Sequence, residues 1–338
     1  MIERYIRNEM QLKQWRRFKK NRLAVLASII VLLVTFVSLT AEVWANSKPV
    51  IMSYKGSIYF PALKQYHPTV FNESAESMVT EYRKLNIKEN GWAIWPIIKW
   101  DPYESNKVVE EYPSPPTTDN WLGTDEGGRD VMSRLLYGYR YSLAYAVLVW
   151  LITTIIAIAL GGIMGYAGGI ADIVGQRVVE VISSVPFLFV LIMLVSVFKP
   201  GLFMLVVLTA FFGWIFMSSY VRGEFLRNRK KEFVEAARAM GASHSRIIFT
   251  HILPNSIGPV ITFAPFIIAT YITSLAGLDY LGLGLPPPTP SWGELLAQAQ
   301  KYFSISWWLA VFPSLALFFT LVLLSLIGDG VRDALDPR

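Results

Sequence analysis

Few residues in this chain are placed to do bond-making chemistry. The three histidines, His67, His244 and His251, fall in separate regions, and there are no cysteines, so no thiolate or disulfide is available. A metal centre built from these histidines is not expected, since ligand sets repeat at short spacings on one or two elements. The acidic and basic run TDEGGRD brings Asp125, Arg129 and Asp130 together. No nucleophile and base pair accompanies it, so it reads as ion-paired residues ordering the start of a helix rather than as an acid–base centre. A G-x-x-x-x-G-K-[ST] loop is absent from the sequence, so the chain does not cradle nucleotide phosphates in the usual way. Neither a catalytic residue, a metal nor a cofactor is expected. The segment that stands out is VEAARAMGASHSRIIFTHILPN, Val234 to Asn255, which is polar and basic and is broken by a glycine. Its Ala236 and Ala237 would let another backbone come close, and Gly241 suits the left-handed turn that ends a helix. Ser243 could then cap a second short helix through Arg246, Ile247 and Ile248 up to a stop at Pro254.

The elements that must position this segment are membrane spans. Hydrophobic residues make up 53% of the chain and charged ones only 17%, with a mean hydropathy of +0.41, too apolar for a soluble protein of this length. A hydrocarbon core of about 30 Å needs roughly 20 apolar residues in a helix. Runs of that kind are Leu23 to Ala41, Tyr141 to Tyr166, Val178 to Phe198, Leu202 to Tyr220, Ile257 to Leu278 and Trp307 to Ile327. Glu180 is the ionisable residue within them, near one end. Backbone groups in lipid must be satisfied internally, so these runs are expected to be six helices, with kinks at Pro186, Pro259, Pro265 and Pro313.

Charge sets the orientation. Met1 to Arg22 holds eight Lys and Arg against two Glu, which puts the N-terminus in the cytoplasm. Its interspersed Trp15 and Phe18 suit either a helix lying on an anionic leaflet or a basic tail. Counting spans from there, the loops fall alternately outside and inside. Val221 to Ser256, with seven Lys and Arg against three acids, is cytoplasmic, as is the C-terminus. The expected organisation is a basic segment over 1–22, a first span over 23–43 and an outer segment over 44–140. A core over 141–338 follows, with five spans and an inner segment over 221–256. Within the outer segment SIYF, GWAIWPIIKW and PSPPTT predict short strands or extended pieces between proline-rich turns.

Glu235, Ala236 and Ala237, followed by Gly241 and then by Leu253 and Pro254, resemble the cytoplasmic signature of permease subunits of bacterial ABC importers. His251 stands where the general pattern has isoleucine, and histidine there is similar to the peptide-importing branch. WLGTDEGGRDVMSRLLYG before the second span, LGLGLPPPTPSWGELL after the fifth and the terminal GDGVRDALDPR look like the oligopeptide and dipeptide permeases. The insert between Glu42 and Asn120 looks like that of the Yej-type peptide uptake family, associated with oligopeptides and the peptide antibiotic microcin C. The resemblance implies an all-α, MetI-like type I permease in the bacterial inner membrane. It also implies two ATPase domains, a second homologous permease, a periplasmic solute-binding protein and surrounding lipid as partners, with no nucleic acid. Glu235, Ala236, Ala237, Gly241, Ala242, Ser243, His244 and Arg246 would then form the surface coupled to the ATPase, with substrate residues unassigned. The main competing class is an ion-driven secondary transporter, which usually keeps charges inside its spans and builds them as an inverted repeat. A membrane-embedded enzyme is the third class. A DNA-binding helix-turn-helix is disfavoured because both ends of the segment are pinned to the bilayer.

Overall fold

The computed structural model describes residues 9–71 and 80–336. Arg4 and Arg7 of the basic N-terminal segment, and the last two residues, lie outside the described residues. From Glu9 the described part of that segment forms α1 (Glu9–Lys20), followed by Asn21. The Asn21 side chain accepts the Ala24 amide at 3.1 Å and so caps α2 (Arg22–Leu39), the first span. α1 leans on the far end of the chain: Arg17 Nη1 donates to the Asp336 carbonyl at 2.6 Å, and Phe18 lies beside Gly330.

Beyond α2 and the single turn α3 (Ala41–Trp44) comes the outer insert. Strands β1 (Ile51–Tyr54) and β2 (Ser57–Tyr59) form a hairpin, and α4 (Ile87–Asn90) leads into β3 (Gly91–Ile94). The sheet is antiparallel in the order β2-β1-β3, with Met52 opposite Tyr59 on one side and Ala93 on the other. Lys55 and Gly56 both take positive φ, the turn that matches strand twist in a two-residue hairpin. One face of the sheet buries Met52 and Tyr54 against Phe71, Tyr82 and Ile87. SIYF and GWAIWPIIKW thus do supply strands, whereas PSPPTT supplies none, and among the described residues one small sheet accompanies the helices.

The second span does not begin where its apolar run begins. α5 (Val131–Ala167) is 37 residues long, and Asp130 caps its start by accepting the Ser133 amide at 2.8 Å. The boundary between 140 and 141 therefore cuts a continuous helix. Its first turns carry Arg134, Tyr137 and Arg140, polar groups that the insert and its neighbours satisfy: Tyr137 donates to the Ala45 carbonyl and Arg140 pairs with Glu42 at 2.8 Å. Hydropathy marks bilayer thickness, not helix length.

The expected third span is broken. α6 (Gly169–Ser183) and α7 (Phe187–Val197) meet at 61° across Pro186, and α6 occupies most of the stretch expected to be a loop. α8 (Leu202–Asn228) runs past the predicted end at Tyr220 into polar sequence. After α9 (Glu232–Ala239), α10 (His244–Arg246), a π-helix over Ile247–Ile252 and α11 (Leu253–Ser256), the chain re-enters the bundle as α12 (Gly258–Tyr280). α13 (Trp292–Lys301) and the final span α14 (Trp307–Leu335) complete the fold. Of the four prolines expected to kink spans, Pro186 breaks one. Pro259 sits in the first turn of α12, where a missing N–H costs nothing, and α12 and α14 continue through Pro265 and Pro313. Among the described residues five helices are long and apolar enough to cross a membrane, or six with the bent pair counted as one.

The most extensive helix–helix contact is between α5 and α8. Gly161 lies on the backbone of Ser218, Gly165 on that of Arg222 and Gly162 on the Phe225 ring, so a side chain at Gly161 or Gly165 would collide with main chain. Small residues at every fourth position let two backbones approach where van der Waals contact, not water exclusion, holds helices together.

Candidate functional site

The segment between α8 and α12 is built as a shaped block. On α9, Val234 and Ala237 point inward and are fully buried against Val221, Phe225, Ile247 and Ile252. Glu235 and Ala236 face outward, so the two alanines expected to act together are divided between the packed and the open side. The helix ends as its sequence predicts. Gly241 has φ +80°, its N–H donates to the Arg238 carbonyl at 3.0 Å, and Ala242 N–H donates to the Ala237 carbonyl at 3.0 Å. These are the two bonds of a Schellman ending.

Ser243 then caps the next helix through the Arg246 amide at 3.4 Å, as expected. Pro254 is not its stop. α10, the π-helix and α11 run on continuously to Ser256, with Pro254 in the first turn of α11. Proline has no N–H to give and its ring crowds the carbonyl four residues back. The Leu253 amide instead reaches Ile248, five residues back. The wider π turn absorbs the proline without ending the rod.

Gly241, Ser243, His244 and Arg246 are all exposed, and Ala242 is half-buried. Met240 and Phe249, at 82% and 66% exposure, lie on either side of them in sequence. The eight residues singled out from the sequence thus contribute one core position, Ala237, and an open face of mixed apolar and charged character.

Several residues that fix this block carry no sequence signal. Asn228, fully buried at the end of α8, donates Nδ2 to Ser256 Oγ at 2.8 Å and to the Asn255 carbonyl at 3.3 Å. Tyr166, near the end of α5, shares a 2.6 Å hydrogen bond with His244 Nδ1 and meets that ring edge-on. Arg229 donates to the Tyr166 carbonyl at 3.0 Å, and Arg222 holds Asp172 through two bonds, one of 2.6 Å, tying α8 to α6. The other histidines are elsewhere: His67 bonds Thr69 in the insert, and His251 lies within the π-helix.

TDEGGRD also forms the ion-paired unit expected of it. Arg129 Nε lies 2.7 Å from Asp125 and its Nη2 3.1 Å from Glu294 on α13. Arg134, fully buried, pairs with Asp125 at 3.2 Å and with Glu294, and donates to the carbonyls of Pro102 and Pro288. Burial pushes the Asp130 carboxyl above the ordinary aspartate range, against hydrogen bonds from Asn120 and Ser133 that pull it down. In α12, Thr273 bonds back to the Ala269 carbonyl at 3.0 Å, as expected of a helix hydroxyl, and borders an open apolar groove of about 510 Å³ with Ala276, Gly277, Tyr280 and Phe303.

Comparison with known proteins places this architecture. Residues 157–338 match the family described as binding-protein-dependent transport system inner membrane component. Residues 13–66 match the N-terminal TM domain of oligopeptide transport permease C. The chain is 40% identical over 329 residues to the inner membrane ABC transporter permease protein YejE of Escherichia coli strain K12, covering 96% of each. It is 36% identical over 361 residues to the peptidoglycan transport system permease protein YejE of Agrobacterium fabrum, covering 96% of this chain and 92% of that one. Among solved structures, the inward-facing MetNI methionine ABC transporter has a similar fold, with a TM-score of 0.51 over 61% of this chain and 97% of that chain at 20% identity. With its five or six spans and its helix, glycine turn and capped rod between α8 and α12, the chain belongs to the family of inner-membrane components of binding-protein-dependent transport systems, the ABC transporter permeases.

Proposed function

We propose that this chain is one permease half of an ATP-driven importer that carries peptides from periplasm to cytoplasm by alternating access. The observation that carries the reading is the open face after Gly241. A capped helical rod is held on the bundle by Ile247 and Ile252 while His244, Arg246 and Phe249 face outward, which suits docking into a groove of a partner. No Walker loop is present in the sequence, so the energy comes from two ATPase domains that dock there. The N- and C-termini and the segment 221–256 lie in the cytoplasm, the insert in the periplasm, and a second homologous permease completes the path. Glu235, Ala236, Ala237, Gly241, Ala242, Ser243, His244 and Arg246 form or shape the coupling face. A periplasmic binding protein delivers the substrate.

The relatives support a peptide-bearing substrate: one is named for peptidoglycan transport, others for dipeptide and oligopeptide transport. Oligopeptides, with microcin C-like peptide antibiotics among them, are the class we assign. The test is to express the chain with its partner subunits and purify it through a tag on this chain alone. A Walker-motif ATPase is expected in the complex, and vesicles containing it should accumulate peptide only with ATP. Gly241→Pro, which cannot adopt φ +80°, is expected to leave the spans inserted and abolish ATP-dependent uptake. Uptake without any bound ATPase, driven by an ion gradient, would overturn the reading.

A further inference from the structure

The rod from His244 to Ser256 is gripped at both ends by residues that lie outside it. At its start, Tyr166 of α5 holds His244 by the 2.6 Å hydrogen bond and by an edge-on ring contact of 5.8 Å between centroids. Arg229, one position beyond α8, fixes Tyr166 in turn through its carbonyl, and the guanidinium sits directly over Gly168, where a side chain would collide with it. At the rod's end, the buried Asn228 amide holds Ser256 Oγ and the Asn255 carbonyl. Between the grips, Ile247 and Ile252 pack on the same cluster as Phe225 and Val221 of α8.

The rod spans on the order of 18 Å at about 1.5 Å per residue. A lever of that length clamped at one point can pivot. Clamped at two points it moves only with what holds it. Here the two holders are themselves one body, because α5 and α8 meet backbone to backbone at Gly161 and Gly165. Asn228 is an expensive residue to bury for packing alone: one amide oxygen finds no hydrogen-bond partner among the described residues.

Resting on the coupling reading above, we infer that Tyr166 and Asn228 are positioning residues that lock the two ends of the coupling rod to the α5–α8 pair, so that a displacement imposed on the docking face moves both spans together. Asn228 is fully buried and Tyr166 half-buried against His244. Their part is to remove the slack between the docking face and the spans.

The test uses the complex of this chain with its permease, ATPase and binding-protein partners in vesicles, with radiolabelled trialanine as the transported probe. Three quantities are read: ATPase retained, ATP hydrolysed, and trialanine accumulated per ATP. Tyr166→Phe keeps the ring and removes only the hydroxyl, so it guards against misfolding, while Asn228→Ala removes the second grip. Both variants are expected to retain the ATPase and to hydrolyse ATP within about twofold of the parent, while uptake per ATP falls by about tenfold. Unchanged uptake per ATP in Tyr166→Phe and Asn228→Ala would overturn the inference. So would loss of the ATPase in step with loss of uptake, because the two residues would then merely shape the docking face. The coupling reading fails separately, if the unsubstituted chain holds no ATPase.

Discussion

Gly241 shows how little a single residue needs to be placed for, and how much it decides. A Cβ there would meet nothing within 4 Å, so space is not at issue; the backbone at φ +80° is. Gly241→Ala is therefore expected to cost about 1 kcal/mol in local stability, with Gly241→Asn recovering part of it, since asparagine tolerates the left-handed region. Hydrogen exchange at the Met240 and Ala242 amides would read this as faster exchange in the alanine variant. The position was legible because turn chemistry is local: glycine, then serine two residues on, spells a helix end and the next helix start. Asn228 was illegible for the opposite reason. Its partner Ser256 lies 28 positions away, and nothing in the residues around it marks an amide that must be buried. The same holds for Tyr166, whose aromatic ring beside the membrane reads as an ordinary interfacial residue until His244 is seen against it.

At the scale of elements, local signals gave the pieces and distance hid their joints. Asp125 and Arg129 are four positions apart, and their pairing was readable from TDEGGRD. That Arg129 also pairs with Glu294, on a helix 165 positions away, was not. This buried cluster is what fastens α13 to the loop before α5, through Arg134 at its centre. Arg134→Ala leaves Asp125 and Glu294 with Arg129 alone and is expected to destabilise the purified protein by about 3–5 kcal/mol, whereas replacing all three of Arg134, Asp125 and Glu294 with apolar residues of similar size should cost less than the single change. Thermal denaturation in detergent would rank the two. The boundaries of the spans failed in a consistent way. α5 and α8 each extend into polar sequence because their helical bonding continues outside lipid, while Pro186 divided a run that hydropathy alone counted as one. Proline acts by position: in a first turn, as at Pro259, it is harmless, and at Pro186 it separates two helices.

The described residues form a bundle organised about the α5–α8 pair, with the small sheet-bearing insert joined to the start of α5 and the rod after Gly241 to its end. Such an arrangement suits a part that transmits motion: the rod is stiff, its holders are close-packed, and the charged clusters lie beyond the apolar stretches of the spans. Membrane class, the approximate place of most spans and the helix, glycine turn and capped helix after α8 followed from hydropathy, charge and spacing. How the rod is held followed only from the fold. The most direct test of the claim that this rod receives an ATPase exploits the lack of cysteine in the chain. A single Arg246→Cys would be treated with a short thiol-reactive cross-linker in the assembled complex, with Ser53→Cys in the insert as the matched control. An adduct is expected between Arg246→Cys and the Walker-motif ATPase, and none from Ser53→Cys. An assembled complex in which Arg246→Cys gives no such adduct, or in which Ser53→Cys gives it instead, would contradict docking of an ATPase on this rod.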